Sequence, residues 1–428
     1  MSSAEPIKVA IIGGGLAGAT LANAILKHDH LDVNIFESAS EFSERGAAVS
    51  LAANAQAALA EIGGEVADVV ERAGGVVMSS SRLCMGSGPD AMSIVFDLGA
   101  EMRGKVVHRA ALLAELLKPI EDKKKHTNRK VISINDSAKG QVEINFEDGT
   151  VFHADAVVGA DGVRGYVRCH VLGKDHPAVP AKVAGFWDAR SLIPMQKAKA
   201  LLGEEYFEID RQYGWIGEGG FIMHDVLDGG DTVQCVVCGI VGEGDEWAEG
   251  EWSKPLDRAA LEKALEEWTD TPLKKGIVEA MLQNPDLKAF AETHHAIDAP
   301  TYANGRTCII GDAAHSMTPW QGSGAGQAIE DAMILQTLLE KIKSPDQVAM
   351  AFQTYSEVRK PRTQRIIHSS CGTGVILCGR GADVGLDAAK IKEVLPGRWA
   401  FIHRQNQGEH KEEALEVLAK LLIAHPLP

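Results

Sequence analysis

Residues 13–18 read Gly-Gly-Gly-Leu-Ala-Gly, between the apolar run IKVAII and the helix-like stretch LAGATLANAILKH. A second apolar run, VNIFE, follows. Strand, glycine turn, helix and strand within about 30 residues is the unit of a parallel sheet. The spacing fits G-x-G-x-x-G. Gly13 permits the tight turn, Gly15 lets a pyrophosphate approach the backbone, and Gly18 lets helix and strand pack closely. The helix N-terminus then offers N–H groups and a positive dipole end to phosphate. Glu37 ends the next strand, 24 residues after Gly13, where a ribose hydroxyl needs an acceptor. A carboxylate there repels a 2′-phosphate, so the motif selects FAD or NAD over NADP.

Composition narrows the remaining classes. A formal net charge of -16 argues against nucleic acid or an anionic membrane surface as partner. The seven cysteines are dispersed and odd in number, which reads as reduced thiols in a cytosol-like compartment. Cys235-Val-Val-Cys238 lies in a β-branched run, where residues three apart point to opposite faces of a strand. No second pair supplies zinc spacing, and His294-His295 lacks a third ligand, so no metal is expected. The uncharged stretch 9–26 lacks a basic flank and contains three consecutive glycines, so a leader or membrane span is not expected there. A cytoplasmic protein is the expectation.

Along the chain, the helix AANAQAALAEIG, the helix RAALLAELLKPI and the hairpin QVEINFEDGTVFHA, turning at Asp148-Gly149, precede a buried strand, AVVGADG. From 177 to 300 the segments FWDARSLI, EEYFEID, YGWIGEG, GFIMHDVL and TVQCVVCGIV read as successive strands, followed by helices. TCIIGD then resumes the first pattern, and long helices close the chain. The expected architecture is α/β: a discontinuous Rossmann-like dinucleotide-binding fold with an inserted, mostly antiparallel sheet and C-terminal helices. The expected divisions are 1–176 and 301–370 for the cofactor domain, 177–300 for the sheet and 371–428 for a helical segment.

Two further glycine-acid clusters occur, GADGVRGYVR at 159–168 and GDAAHSMTPWQGSGAG at 311–326. With GGGLAG and Glu37 they form three ordered motifs spanning nearly the whole chain. In this combination the sequence resembles the single-component, FAD-dependent aromatic monooxygenases of the salicylate-hydroxylase and para-hydroxybenzoate-hydroxylase type. Fungal relatives that dearomatise phenols look particularly similar from RGAAVSLAANA onward.

The resemblance makes the expected architecture an FAD-binding fold with a substrate sheet, and implies an FAD site and NADH or NADPH as transient co-substrate. It implies that Asp312 bonds the ribityl chain and that Pro319 lies beside the reactive face of the flavin. Gly322, Gly324 and Gly326 are expected to let backbone approach the ring, and the helix starting near Ala325 to aim its positive end at the ring's anionic edge. Arg109 matches a family arginine on FAD. Ala48 stands where a glycine is usual, with Arg45 just before it. Asp161 and Arg164 match the second motif, but Gly165 replaces its usual serine, which puts one hydrogen bond on the NAD(P)H side in doubt.

For chemistry, the resemblance implies a C4a-hydroperoxyflavin that oxygenates a small phenolic or heteroaromatic ring, with O2 as the other co-substrate. The protein has to exclude water and favour phenolate, although a free phenol has a pKa of about 10. Arg190, in FWDARSLI, matches an arginine placed against the substrate. His224, in GFIMHDVL, occupies a place where relatives carry tyrosine, and it suits a proton acceptor. Tyr206, Tyr213, His315, Met317 and Trp320 are secondary candidates for the pocket. Epoxidation of an alkene or indole, a flavoprotein reductase and a non-catalytic FAD sensor are the alternatives. The particular phenol, the choice of coenzyme and the oligomeric state are not written in the sequence.

Overall fold

The computed structural model describes residues 5–43, 48–78, 80–98, 104–136, 140–209, 211–242, 247–248 and 250–425. The chain opens with β1 (Ile7–Ile12), α1 (Leu16–Ile25), β2 (Leu31–Phe36) and α2 (Ala53–Ile62). There follow β3 (Ser80–Met85), β4 (Ile94–Leu98), α3 (Arg109–Leu117), β5 (Ala156–Gly159) and α4 (Val167–Leu172). The middle contains β6 (Lys182–Pro194), α5 (Met195–Leu202), β7 (Arg211–Gly217), β8 (Gly220–Leu227), β9 (Thr232–Ile240), α6 (Arg258–Ala264), α7 (Pro272–Met281) and β10 (Lys288–His294). The last part is β11 (Thr307–Ile309), α8 (Gly324–Lys341), α9 (Val348–Leu377), α10 (Ala388–His403) and α11 (Gln407–Ala424).

The first sheet has six strands, with β11, β5, β1 and β2 adjacent and parallel at its centre. These strands are short and almost wholly apolar, as parallel strands covered on both faces must be. Helices α1 and α8 pack together against it, α9 packs on α8 and on the β11 edge, where the Tyr355 hydroxyl donates to the Ile309 carbonyl at 3.0 Å, and α11 lies outside. At the turn after β1, Gly13 has φ +110, and a Cβ there would overlap the carbonyl oxygen of Ala160. A Cβ at Gly18 would overlap the carbonyl of Gly13. The motif therefore packs β1, α1 and β5 closer than side chains allow.

The second sheet has eight strands, in the order 253–255, β10, β6, β9, β8, β7, β3, β4. It is antiparallel except where β7 pairs parallel with β3. Two expectations are corrected here. Strands β3 and β4 come from residues 80–98, so the segment 1–176 contributes to both sheets and a division at 177 does not separate the layers. Nothing local reveals such a pairing, because the partner strand lies more than a hundred residues away. EEYFEID, expected as a strand, is a 3-10 turn at Glu204–Phe207. Its adjacent Tyr206 and Phe207 do not alternate in and out, and Gly203 at φ +118 breaks the chain before it.

The two faces of this sheet have separate fates. One carries Ala189, Trp215, Ile222, Cys235 and Val237, and is covered by Ala198, Leu261, Ile277 and Met281 of α5, α6 and α7. Helix α7 has a well-formed start: Thr271 accepts from the Lys274 N–H at 3.2 Å, and Pro272 opens the first turn. The other face turns toward the first sheet. Cys235 and Cys238 fall in different cores across the sheet, so the CxxC spacing brings no two thiols together. Burial pushes the Cys235 thiol up to about 12. Among the described residues, no helix is long and apolar enough to cross a membrane.

Candidate functional site

Between the two sheets lies a cavity of about 530 Å³, within the range of small-molecule sites. The glycine turn reaches it through Gly15, Leu16 and Ala17, and the second motif through Ala160 and Gly162. Asp312, Met317, Pro319, Gly322, Gly324 and Ala325 of the third motif line it, as do Ala48 and Arg109. Segments more than three hundred residues apart thus meet around one space.

The third motif is held open by buried charge. Asp331 of α8 accepts from the Gly311 N–H at 2.9 Å, His315 Nε2 at 2.6 Å and Arg359 Nε at 2.8 Å. Its neighbour Glu330 accepts from Arg359 Nη1 at 2.6 Å, Arg362 Nε at 2.8 Å and Asn54 Nδ2 at 2.7 Å. Arg168, the last residue of the second motif, is buried and donates to the carbonyls of Ala313 and Ala314 at 2.9 and 2.7 Å. The loop between β11 and α8 is therefore fixed from three sides. These clamps fall outside the sequence expectations, although the acid pair on α8 and the arginines on α9 sit in plain view.

The space suits a bound dinucleotide on two grounds. Helices α1 and α8 both begin without a side-chain cap, at Gly15 and Ser323, and their first residues line the cavity. Helix ends of this kind turn positive dipole ends toward negative charge. A Cβ at Gly322 would meet nothing within 4 Å, and one at Gly324 only Met317 Cγ at 4.0 Å. The empty volume beside these glycines is a cradle that side chains would fill. Gly326 differs: a Cβ there would press on Ala55 and Asn54 of α2 at 3.3 and 3.4 Å. Its glycine serves helix packing, not a ring.

Several expected residues stand beside the cavity without lining it. Gly13 and Gly18 build the turn. Glu37 accepts from the Gly14 and Ala39 N–H groups at 2.9 and 2.8 Å, so its carboxylate braces the glycine loop. Asp161 turns away toward α4, where Oδ2 accepts from the Val167 N–H at 2.9 Å. Burial pushes the Asp161 carboxyl up to about 6. Gly165 makes that fold-back possible, since a Cβ there would overlap the Asp161 carboxyl. Arg164 lies over the Trp252 ring at 5.8 Å, and Arg45 is outside the described residues. His315 is enclosed in the Asp331 network.

On the cavity face of the second sheet stand Asp188 and Arg190 of β6, Phe221, Met223 and Asp225 of β8, and Gln234, Val236 and Cys238 of β9. Arg190 keeps 44 % of its side-chain surface free, and its Nε donates to Asp188 at 3.0 Å. That carboxylate, more than burial opposes it, holds the guanidinium firmly charged.

His224 is a correction. Side chains alternate along a strand, and His224 points to the covered face, one residue out of phase with the cavity. It stacks on Tyr213 with centroids 5.1 Å apart and planes 6° apart, beside Phe207 at 5.4 Å. Burial lowers its pKa to about 4, so it is a neutral ring in an aromatic core. Tyr206 and Tyr213 belong to the same core. The polar residue that does reach the cavity from β8 is Asp225, which was not among the expected residues. A carboxylate inside GFIMHDVL, and Gln234 inside an otherwise apolar strand, are the signals that could have found it. Helix α10 is also an unforeseen part of the site, though Trp399 and His403 line it. Trp320 packs edge-on against Phe186 and Phe221 at 5.1 and 5.7 Å, joining the third motif to the sheet.

Known proteins resemble this chain in sequence and in fold. A family model described as FAD binding domain matches residues 238–370. The chain is 34% identical to 6-methylsalicylate 1-monooxygenase of Aspergillus terreus, covering 99% of this chain and 94% of that one. It is 29% identical to a salicylate hydroxylase of Pseudomonas putida, over 94% and 93% of the two chains. Among solved structures, a salicylate hydroxylase substrate complex superposes with a TM-score of 0.82 at 24% identity, covering 96% of this chain and 98% of that one. HpxO of Klebsiella pneumoniae, solved with FAD and uric acid, gives 0.73 at 21% identity, over 96% and 97%.

Proposed function

Because this chain belongs to the FAD-dependent aromatic monooxygenases, a family including salicylate hydroxylase, we propose that it oxygenates a small phenolic ring held against the Asp188–Arg190–Asp225–Gln234 face. The observation that carries this reading is the meeting of three things around one cavity: two uncapped helix ends, an open glycine cradle and a charged strip on an otherwise apolar sheet. When bound, FAD supplies electron transfer from NAD(P)H and the activation of O2.

The chain's own residues do the rest. The N-terminus of α1 with Gly15 holds the pyrophosphate, and Asp312 and Arg109 engage the polar middle of the cofactor. Gly322, Gly324 and Ala325 let the ring lie on backbone, with the end of α8 favouring negative charge at its edge. Pro319 and Met317 shape the reactive side. Phe221, Met223, Val236, Trp320 and Trp399 keep water from the ring being oxygenated. Arg190, oriented by Asp188, faces the substrate oxygen and favours its anionic form. Relatives named for salicylates make a phenol the leading substrate class.

The experiment is a panel of phenols, with and without an ortho carboxylate, offered to the FAD-loaded enzyme with NADH or NADPH. Coenzyme oxidation, oxygen uptake and oxygenated product are expected to rise together with at least one of them. Arg190→Ala is expected to retain FAD and lose product. Coenzyme oxidation that no phenol stimulates, or product formation unchanged in Arg190→Ala, would overturn the reading.

A further inference from the structure

Asp225 and Gln234 sit directly opposite one another on β8 and β9, each 4% exposed, and both line the cavity. Gln234 Nε2 donates to Asp225 Oδ1 at 3.1 Å. Gln234 Oε1 is buried with no partner, and the bond that Asp225 accepts falls on Oδ1, not on Oδ2. A buried acceptor without a donor is costly, and Gln234 Oε1 beside the Asp225 carboxylate, both facing one cavity, describes a place for a donor. A hydroxyl on an aromatic ring supplies one. A carboxylate does not.

We propose that Asp225 is the catalytic residue that takes the substrate's phenolic proton, with Gln234 positioning both the carboxyl and the hydroxyl. This rests on the phenol oxygenation proposed above. In the step, the phenol O–H bond breaks and the proton moves to Asp225 Oδ2. The electron pair stays on the ring oxygen, whose negative charge faces Arg190. Carboxylate plus phenol becomes carboxylic acid plus phenolate, so the cavity's net charge does not change. Return of a proton to the product's hydroxyl restores the carboxylate.

The surroundings fit that role. The charged groups nearest on the same face are Arg190 and Asp188 of β6, while Gln212 of β7 and Gln234 of β9 are neutral. Arg109, Asp312 and His403 line the cavity from other elements. Burial raises the Asp225 carboxyl to about 7, against smaller opposing effects of Gln234 and Arg190. It is therefore a stronger base than an ordinary carboxylate and closer to a phenol's pKa of about 10.

The test is Asp225→Asn, compared with wild type across phenols carrying methyl, chloro, cyano and nitro groups. A lost general base predicts a fall in kcat/KM of about 10²–10⁴-fold for the least acidic phenols. The deficit should shrink below about tenfold for nitrophenol, which enters already ionised. Absorption of bound nitrophenol and cresol on the oxidised enzyme reads the same event without turnover: phenolate forms from cresol in wild type and not in the variant. Gln234→Leu, which removes the bond that lowers the carboxyl's pKa, should move the acid limb of the pH profile upward while leaving FAD content unchanged. A deficit of equal size across the series, or none, overturns the proposal. If wild type itself oxygenates no phenol, the parent reading fails instead.

Discussion

Replacing Arg359 with methionine isolates what the buried network contributes to the site. The change removes the guanidinium bonds to Glu330 Oε2 at 2.6 Å, Asp331 Oδ1 at 2.8 Å and Gln327 Oε1 at 2.9 Å, all at fully buried groups. Removing one partner of a buried ion pair costs about 3–5 kcal/mol, because the other charge stays behind. Arg362 still holds Glu330, and Gly311 and His315 still donate to Asp331. The loss therefore belongs near the lower end, about 3 kcal/mol, or about 150-fold in the folded-to-unfolded ratio. Urea denaturation of the FAD-loaded protein, followed by tryptophan and flavin fluorescence, measures it. Flavin release is expected to precede or accompany unfolding, since Asp331 holds the turn that carries Asp312.

The pH dependence has a definite sign. Burial alone would raise both carboxyls. For Glu330, Arg359 and Arg362 outweigh it, and for Asp331, His315 and Arg359 do, so both stay below the ordinary range. A depressed carboxyl pKa gives stability that is present above the unfolded value of about 4 and lost as pH falls through the folded value. The gap between wild type and variant is thus widest at neutral pH and closes in acid. Adding Asp331→Asn to Arg359→Met removes the stranded charge and should recover at least about 1 kcal/mol. A single variant within about 0.5 kcal/mol of wild type would refute the reasoning.

Other outcomes follow from single contacts. His224→Phe keeps the aromatic stack and should leave kcat within about threefold, whereas loss of a general base would cost about 10²-fold or more; steady-state turnover decides. Gly324→Val fills the cradle and should give a folded but colourless protein, seen as an unchanged far-ultraviolet spectrum with little bound flavin. Gly165→Ser, which restores the residue usual in the family, would collide with the Asp161 carboxyl and should destabilise by about 1–2 kcal/mol in a denaturation curve.

Much of this molecule was legible in residue order. Gly13 to Gly18 with Glu37, the acid-ended strand at Asp161, and the proline–glycine run from Pro319 each carry local chemistry that admits few backbones. What they contact was less legible. Glu37 and Asp161 brace turns, and Gly326 packs a helix, because a short polar or absent side chain at a strand end serves a neighbour as readily as a ligand. Strands β3 and β4 were missed because pairing with β7 is set by a distant partner.

The sequence alone determined the kind of fold and a dinucleotide as ligand, since glycine conformation, helix ends and apolar strands are properties of a few neighbouring residues; FAD in particular followed from the likeness of three motifs to a family. Which face of the second sheet meets the cavity was decided only in three dimensions. Alternation makes His224 and Asp225 equally plausible from within their own strand. The packing of α5, α6 and α7 on one side sends the imidazole into an aromatic core and leaves the carboxyl, with Gln234 and Arg190, facing the space where a ring can bind.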